Sequence, residues 1–119
     1  MNTQFKKGIL ELCVLAIVNS RDCYGYELVE EISRQIDISE GTVYPILRRL
    51  TQDQYFETYL QESTSGPPRK YYRITAMGRQ TLAQMLTEWN EFQKSVTTLL
   101  KTGEWLNMNK SEFLNQLRH

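Results

Sequence analysis

The sequence predicts a mainly α fold with one small β-hairpin, and three observations predict it. Apolar residues at helical spacing recur through residues 3–53, two alternating segments flank a Gly/Pro-rich turn at residues 55–74, and a heptad seam runs through residues 82–99. A length of 119 residues leaves room for one domain and little more. Hydrophobic residues at 40% and charged residues at 24% supply an ordinary folded core. Fourteen Lys and Arg balance fourteen Asp and Glu, which excludes a purely electrostatic nucleic-acid binder but allows a basic face.

The first helix is expected from a cap at Thr3 to about Asn19, with Phe5, Ile9, Leu12 and Ala16 on one face. From Leu12 to Val18 it is apolar all round, which requires burial on more than one side and makes a second subunit the simple explanation. Arg21-Asp22-Cys23-Tyr24-Gly25 is read as a turn, and a second helix over Tyr26–Ile36 points Leu28, Val29 and Ile32 inward. Ser39 is the expected N-cap of a third helix, with Glu40 favourable at its positive end. Val43, Ile46, Leu47 and Leu50 form that helix's buried stripe, so Gly41, Pro45, Arg48 and Gln52 face outward, flanked by Thr42, Tyr44 and Arg49.

Tyr55–Gln61 alternates, Ser63–Pro68 reads as a six-residue turn, and Arg69–Ile74 is a second strand with Tyr72 and Ile74 toward the core. Thr75 caps a long last helix. Its seam of Leu82, Met85, Trp89, Phe92, Val96 and Leu99 has the 3-4-3-4-3 spacing of a coiled-coil interface. With Leu12, these residues are the expected dimer interface. After Gly103, Asn109 or Ser111 can cap a short helix carrying Phe113, Leu114 and Leu117, or the tail is disordered. The expected organisation is 1–75, 76–102 and 103–119.

Three short helices followed by a hairpin are the element order of a winged helix-turn-helix. The third helix is then presented to the major groove and the hairpin to a neighbouring phosphate backbone. Ser39, Thr42, Tyr44, Arg48, Arg49, Arg69 and Lys70 are the candidate DNA-binding residues, with Lys6 and Lys7 of the first helix adding phosphate contacts. Residues 38–73 hold five basic and four acidic side chains, so charge alone supports this only weakly.

The order and spacing of Tyr24-Gly25-Tyr26-Glu27-Leu28, Gly41-Thr42-Val43-Tyr44-Pro45-Ile46-Leu47-Arg48-Arg49-Leu50 and Gly66-Pro67-Pro68-Arg69-Lys70-Tyr71-Tyr72-Arg73-Ile74-Thr75, with Gly78-Arg79 beyond, resemble the PadR family of bacterial transcriptional regulators. The resemblance spans roughly residues 5–100. One departure is Gln54, where the family often has glycine between the third helix and the first wing strand. The resemblance implies a homodimeric repressor of double-stranded DNA bearing an inverted-repeat operator. It also implies a short subfamily whose single long C-terminal helix packs on the partner's first and long helices. Trp89, at a heptad core position, is either a large residue filling space or the platform for a small aromatic effector, since some family members bind planar drugs there.

The remaining signals mostly exclude. The single histidine is His119, and Cys13 and Cys23 form no C-x-x-C pair, so the sequence predicts no metal, cofactor or catalytic residue. Glu30-Glu31 lies on a solvated helix, and Gly66-Pro67-Pro68 has prolines where a phosphate loop needs N–H groups, so an enzyme is not expected. Cys13 reads as a buried inert thiol, while Cys23, in a polar segment, leaves a redox role open. No apolar run reaches the length of a membrane span or has the form of a signal peptide, so a cytoplasmic location is expected. The rival to a DNA-binding regulator is a winged-helix adaptor that binds protein.

Overall fold

The structure, a computed structural model, describes residues 3–102 and 114–115. Packing divides the chain into two compact units, residues 1–85 and 86–119. The first holds α1 (Thr3–Ser20), β1 (Cys23–Tyr24), α2 (Gly25–Ser33), α3 (Glu40–Gln52), β2 (Phe56–Ser63), β3 (Gly66–Ile74) and the start of α4 (Ala76–Thr102). One antiparallel sheet has the order β1-β3-β2.

Its core is built as the periodicity requires for α2 and α3. Leu28 and Ile32, then Val43, Ile46, Leu47 and Leu50, are buried, joined by Phe56, Tyr72, Ile74 and Leu82, while Val29, expected inward, is only half-buried at the edge of the α2 stripe. The face of α1 differs from the expected one. Leu10, Leu12, Val14, Leu15 and Val18 are buried and Ala16 is exposed, while Ile9, Cys13 and Ile17 are half-buried. A helix that is apolar all round carries no phase in its pattern, so tertiary packing chooses the inward face. Leu12 and Leu82, expected between subunits, are already buried in their own chain.

Two local readings are corrected. Cys23 and Tyr24 are not turn residues. They pair with Tyr72 and Tyr71 and add a third strand to the expected hairpin, so α2 starts at Gly25; it ends at Ser33, short of the expected Ile36. A two-residue strand is too short to show alternation, and its partner is remote in sequence. The wing turn is Thr64-Ser65 rather than six residues, because β3 already begins at Gly66. Pro67 and Pro68 fit in that strand because the register shifts between Gln61 and Ser63. The ladder therefore passes from Gln61↔Arg69 to Ser63↔Gly66 without asking either proline for an N–H.

One junction joins α3, the wing and α4. The Tyr55 N–H donates to the Leu50 carbonyl at 3.0 Å and the Gln54 N–H to that of Thr51 at 3.0 Å, with Gln54 at φ 67°. This is a Schellman ending with a non-glycine residue in the left-handed position. Thr75 caps α4 as expected: its Oγ1 accepts from the Gly78 N–H at 3.0 Å and donates to the Gln54 carbonyl at 2.7 Å. A Cβ on Gly78 would stand 2.3 Å from the Tyr55 carbonyl oxygen, so only glycine lets α4 start this close to the wing's base.

In the second unit, α4 leaves Leu86, Phe92, Val96, Leu99 and Leu100 exposed, Phe92 by 53% and Leu99 by 70%, with Trp89 half-buried. Leu114 and Asn115 are helical. The caps Asn109 and Ser111 and the apolar Phe113 and Leu117 lie outside the described residues. No described helix is long and apolar enough to cross a membrane.

Candidate nucleic-acid interface

The outward face of α3 follows from its buried stripe. Arg48 and Gln52 are exposed, Tyr44 is 37% exposed and Thr42 is half-buried. Pro45 sits in the helix on that same open face, where the N–H it lacks would have bonded the Gly41 carbonyl. Ser39 occupies the N-cap position in extended conformation. Its carbonyl accepts from the Thr42 N–H at 3.0 Å, but its hydroxyl makes no capping bond.

Beside α3 stands the hairpin, and alternation sorts its cations. Tyr72 and Ile74 face the core, so Lys70, two residues before Tyr72, extends that face beyond the core. There Lys70 meets α3: Tyr44, Arg48, Thr51, Gln52, Lys70 and Tyr72 line a cleft of about 210 Å³. Two cations from two elements thus converge with two phenols. Burial and then the Glu40 carboxylate push the Tyr44 phenol up. Burial pushes up that of Tyr72, against the nearby Arg48 guanidinium. Both rings are therefore neutral hydroxyls at physiological pH. The cleft offers hydrogen-bond donors and positive charge, the chemistry that meets phosphate oxygens and base edges.

Tyr44 has a second task. A Cβ at position 25 would lie 2.5 Å from Tyr44 Cε1, so the ring rests on the Gly25 backbone where α2 begins. It wedges the crossing of α2 and α3 with one edge and lines the cleft with the other. The sequence motif contains both residues, but nothing in it says that they touch.

Other candidates go elsewhere. Arg49, half-buried, forms an ion pair with Glu11 of α1. Arg69 lies on the face of the sheet opposite Lys70, its guanidinium 4.6 Å from the Tyr24 ring centroid. Lys7 is exposed on α1, and the side chain of Lys6 lies outside the described residues. The sequence reading missed a cluster on that opposite face, where Asp22 accepts from the Tyr59 hydroxyl at 2.7 Å and from Arg73 Nε at 3.2 Å. Tyr59 and Arg73 could be placed on one face by alternation, but Asp22 comes from a segment read as turn. Cys23 is fully buried, and burial pushes its thiol up to about 11, which removes the thiolate a redox sensor needs.

The "Transcriptional regulator PadR-like family" matches residues 14–84. The transcriptional regulator Rv3488 of Mycobacterium tuberculosis is 30% identical over 94 residues, 78% of this chain and 87% of that protein. A PadR-like transcriptional regulator from Bacillus cereus has a solved structure 37% identical in sequence, with a TM-score of 0.75 over 82% of this chain and 96% of the other. A Streptococcus transcriptional regulator superposes with a TM-score of 0.76 at 32% identity, over 82% of this chain and 98% of the other.

Proposed function

The chain belongs to the PadR-like family of transcriptional regulators, and from that premise we propose that it is a homodimeric repressor that grips an inverted-repeat operator with paired copies of α3 and the wing. The observation that carries the reading is the cleft in which Arg48 of α3 and Lys70 of β3 converge. Thr42, Tyr44 and Arg48 read bases or the phosphates beside them. Lys70 and Arg69 anchor the wing from its two faces without regard to sequence. Ser39 brings the N-terminus of α3 to a phosphate, and Lys6 and Lys7 extend the contact along α1. The charge of Arg49 is already met by Glu11, so we assign it to holding α1 on α3.

Dimerisation is supported by the exposed apolar side of α4 and by the half-buried stripe Ile9, Cys13 and Ile17 on α1. Covering one large apolar side chain contributes about 1.5–3 kcal/mol, so covering Phe92, Val96 and Leu99 is enough to drive association. An effector is proposed at Trp89, half-buried on α4. A flat aromatic ligand stacking there would favour one spacing of the two long helices and so change operator affinity by its differential binding energy.

The test is footprinting on the protein's own promoter with affinity measured as a function of salt. A protected inverted repeat whose binding weakens steeply with salt is expected. Absence of protection, or binding indifferent to salt, overturns the reading in favour of a protein-binding adaptor. Titration of planar aromatic cations and phenolic acids, following Trp89 fluorescence beside Trp89→Phe, tests the effector.

A further inference from the structure

The wing is buried against the body at its base alone. Of the hairpin, only Phe56, Tyr72 and Ile74 are buried, and from Leu60 to Lys70 nearly every residue is exposed. A two-stranded ribbon of this kind is marginal alone and twists more strongly than a wider sheet. β1 contributes only two residue pairs, both to β3, and none to β2.

Asp22 ties both strands of the hairpin to the segment that leads into β1. It directly precedes β1, and its Oδ2 accepts from Tyr59 of β2 and from Arg73 of β3. These strands are neighbours in register, Tyr59 opposite Tyr71 and Glu57 opposite Arg73. The two donors also hold each other, with the Arg73 guanidinium 4.6 Å from the Tyr59 ring centroid. A row of rings continues the tie: Tyr59 stacks on Tyr71 at 5.6 Å, and Tyr71 meets Tyr24 edge-on at 5.4 Å. Glu57 adds a looser contact to Arg73 at 3.8 Å. All of this lies on the sheet face away from Lys70 and the cleft.

We infer that Asp22 is a positioning residue for the wing: by holding Tyr59 and Arg73 together it fixes the hairpin's angle to α3 and so places Lys70 beside Arg48. This rests on the reading of the cleft as the DNA interface. The half-exposed location matters, because exposed ion pairs add little to global stability.

Two measurements on Asp22→Asn test this, one of them without DNA. Amide exchange at residues 57–61 and 69–73 is expected to accelerate about tenfold, with exchange in α3 unchanged. The salt slope of operator binding is expected to fall by about one, as for Lys70→Ala, and Lys70→Ala on top of Asp22→Asn adds little further. Tyr59→Phe, which removes one donor and keeps the ring, is expected to move both readouts the same way by less. Unchanged wing exchange, uniform loosening of the whole chain, or independent addition of the Asp22 and Lys70 effects would each overturn the inference. Should the wild type fail to bind any duplex, the DNA reading falls, and the exchange measurement alone decides whether Asp22 holds the wing.

Discussion

Residues 1–85 and the part of α4 beyond them follow opposite rules. The first unit hides its large aliphatic side chains, with Leu10, Leu15, Leu28, Ile46 and Leu47 fully buried. The second carries comparable side chains at the same helical spacing and leaves Phe92, Val96 and Leu99 in the open. The same amphipathic pattern therefore has two outcomes, a closed core in the first unit and an exposed apolar face on α4, which we propose meets a second subunit. The largest expected effects separate these meanings. Leu47→Ala should lower unfolding free energy by about 2–5 kcal/mol, because it leaves a cavity in a closed core. Phe92→Glu should instead convert dimer to monomer in sedimentation, with loss of operator binding. A dimer that survives Phe92→Glu would mean that α4 meets its partner by another face.

The two cysteines repeat the contrast inside the first unit. Cys23 is sealed and its thiol is pushed up to about 11 by burial, so at pH 8 its thiolate fraction is about a hundredfold below that of an ordinary cysteine. Cys13 is half-buried on the α1 stripe assigned to the partner, and burial raises its thiol as well. A thiol reagent should leave Cys23 untouched in the native protein and modify Cys13 faster as dilution separates the subunits. Because the folded thiol of Cys23 titrates above the unfolded one, its contribution to stability is intact below pH 9 and is lost as pH rises through about 11. Rapid labelling of Cys23 at pH 8 would contradict its burial.

The proposed DNA face offers a narrower comparison, Arg48 against its neighbour Arg49. Arg48→Ala should cost about 1–3 kcal/mol of operator affinity and relax sequence choice. Lys70→Ala should weaken operator and random DNA alike and lower the salt slope by about one. Arg49→Ala should leave both affinities nearly unchanged and cost a few tenths to about 1 kcal/mol in stability, since it breaks a partly exposed pair with Glu11. Equal effects of Arg48→Ala and Arg49→Ala on operator binding would dissolve the distinction.

These contrasts also show what the sequence made legible. The α3 stripe, the cap at Thr75 and the core side of β3 follow from local spacing, and the structure agrees; Ser39 takes the N-cap position of α3 as expected but its hydroxyl makes no capping bond. The inward face of α1 does not follow, because a continuous apolar run has no phase. Nor does β1, since two residues cannot display a period. The partners of Arg49, Arg69 and Arg73 were hidden for a different reason. Each is fixed by a contact with a residue far along the chain, Glu11, Tyr24 or Asp22, and one sequence records no such pairing.

Gln54 is where a sequence departure and a structural feature coincide, and it gives the smallest expected effect. At φ 67° a residue with a Cβ is strained by about 1–2 kcal/mol, and glycine is not. Glycine also frees the unfolded chain, which offsets about 0.5–1 kcal/mol of that gain. The net expectation for Gln54→Gly is a stabilisation of about 0.5–1 kcal/mol, read as a higher urea midpoint with unchanged slope at fixed protein concentration. Gln54→Val, β-branched in the same conformation, should move the midpoint the other way. The hydrogen bonds at this junction, Tyr55 to Leu50 and Thr75 to the Gln54 carbonyl, involve backbone groups or Thr75 and not the Gln54 side chain. The wing should therefore keep its angle and operator affinity should stay level in Gln54→Gly. Loss of affinity with a gain in stability would show that the glutamine side chain, rather than the backbone turn, sets where the wing points.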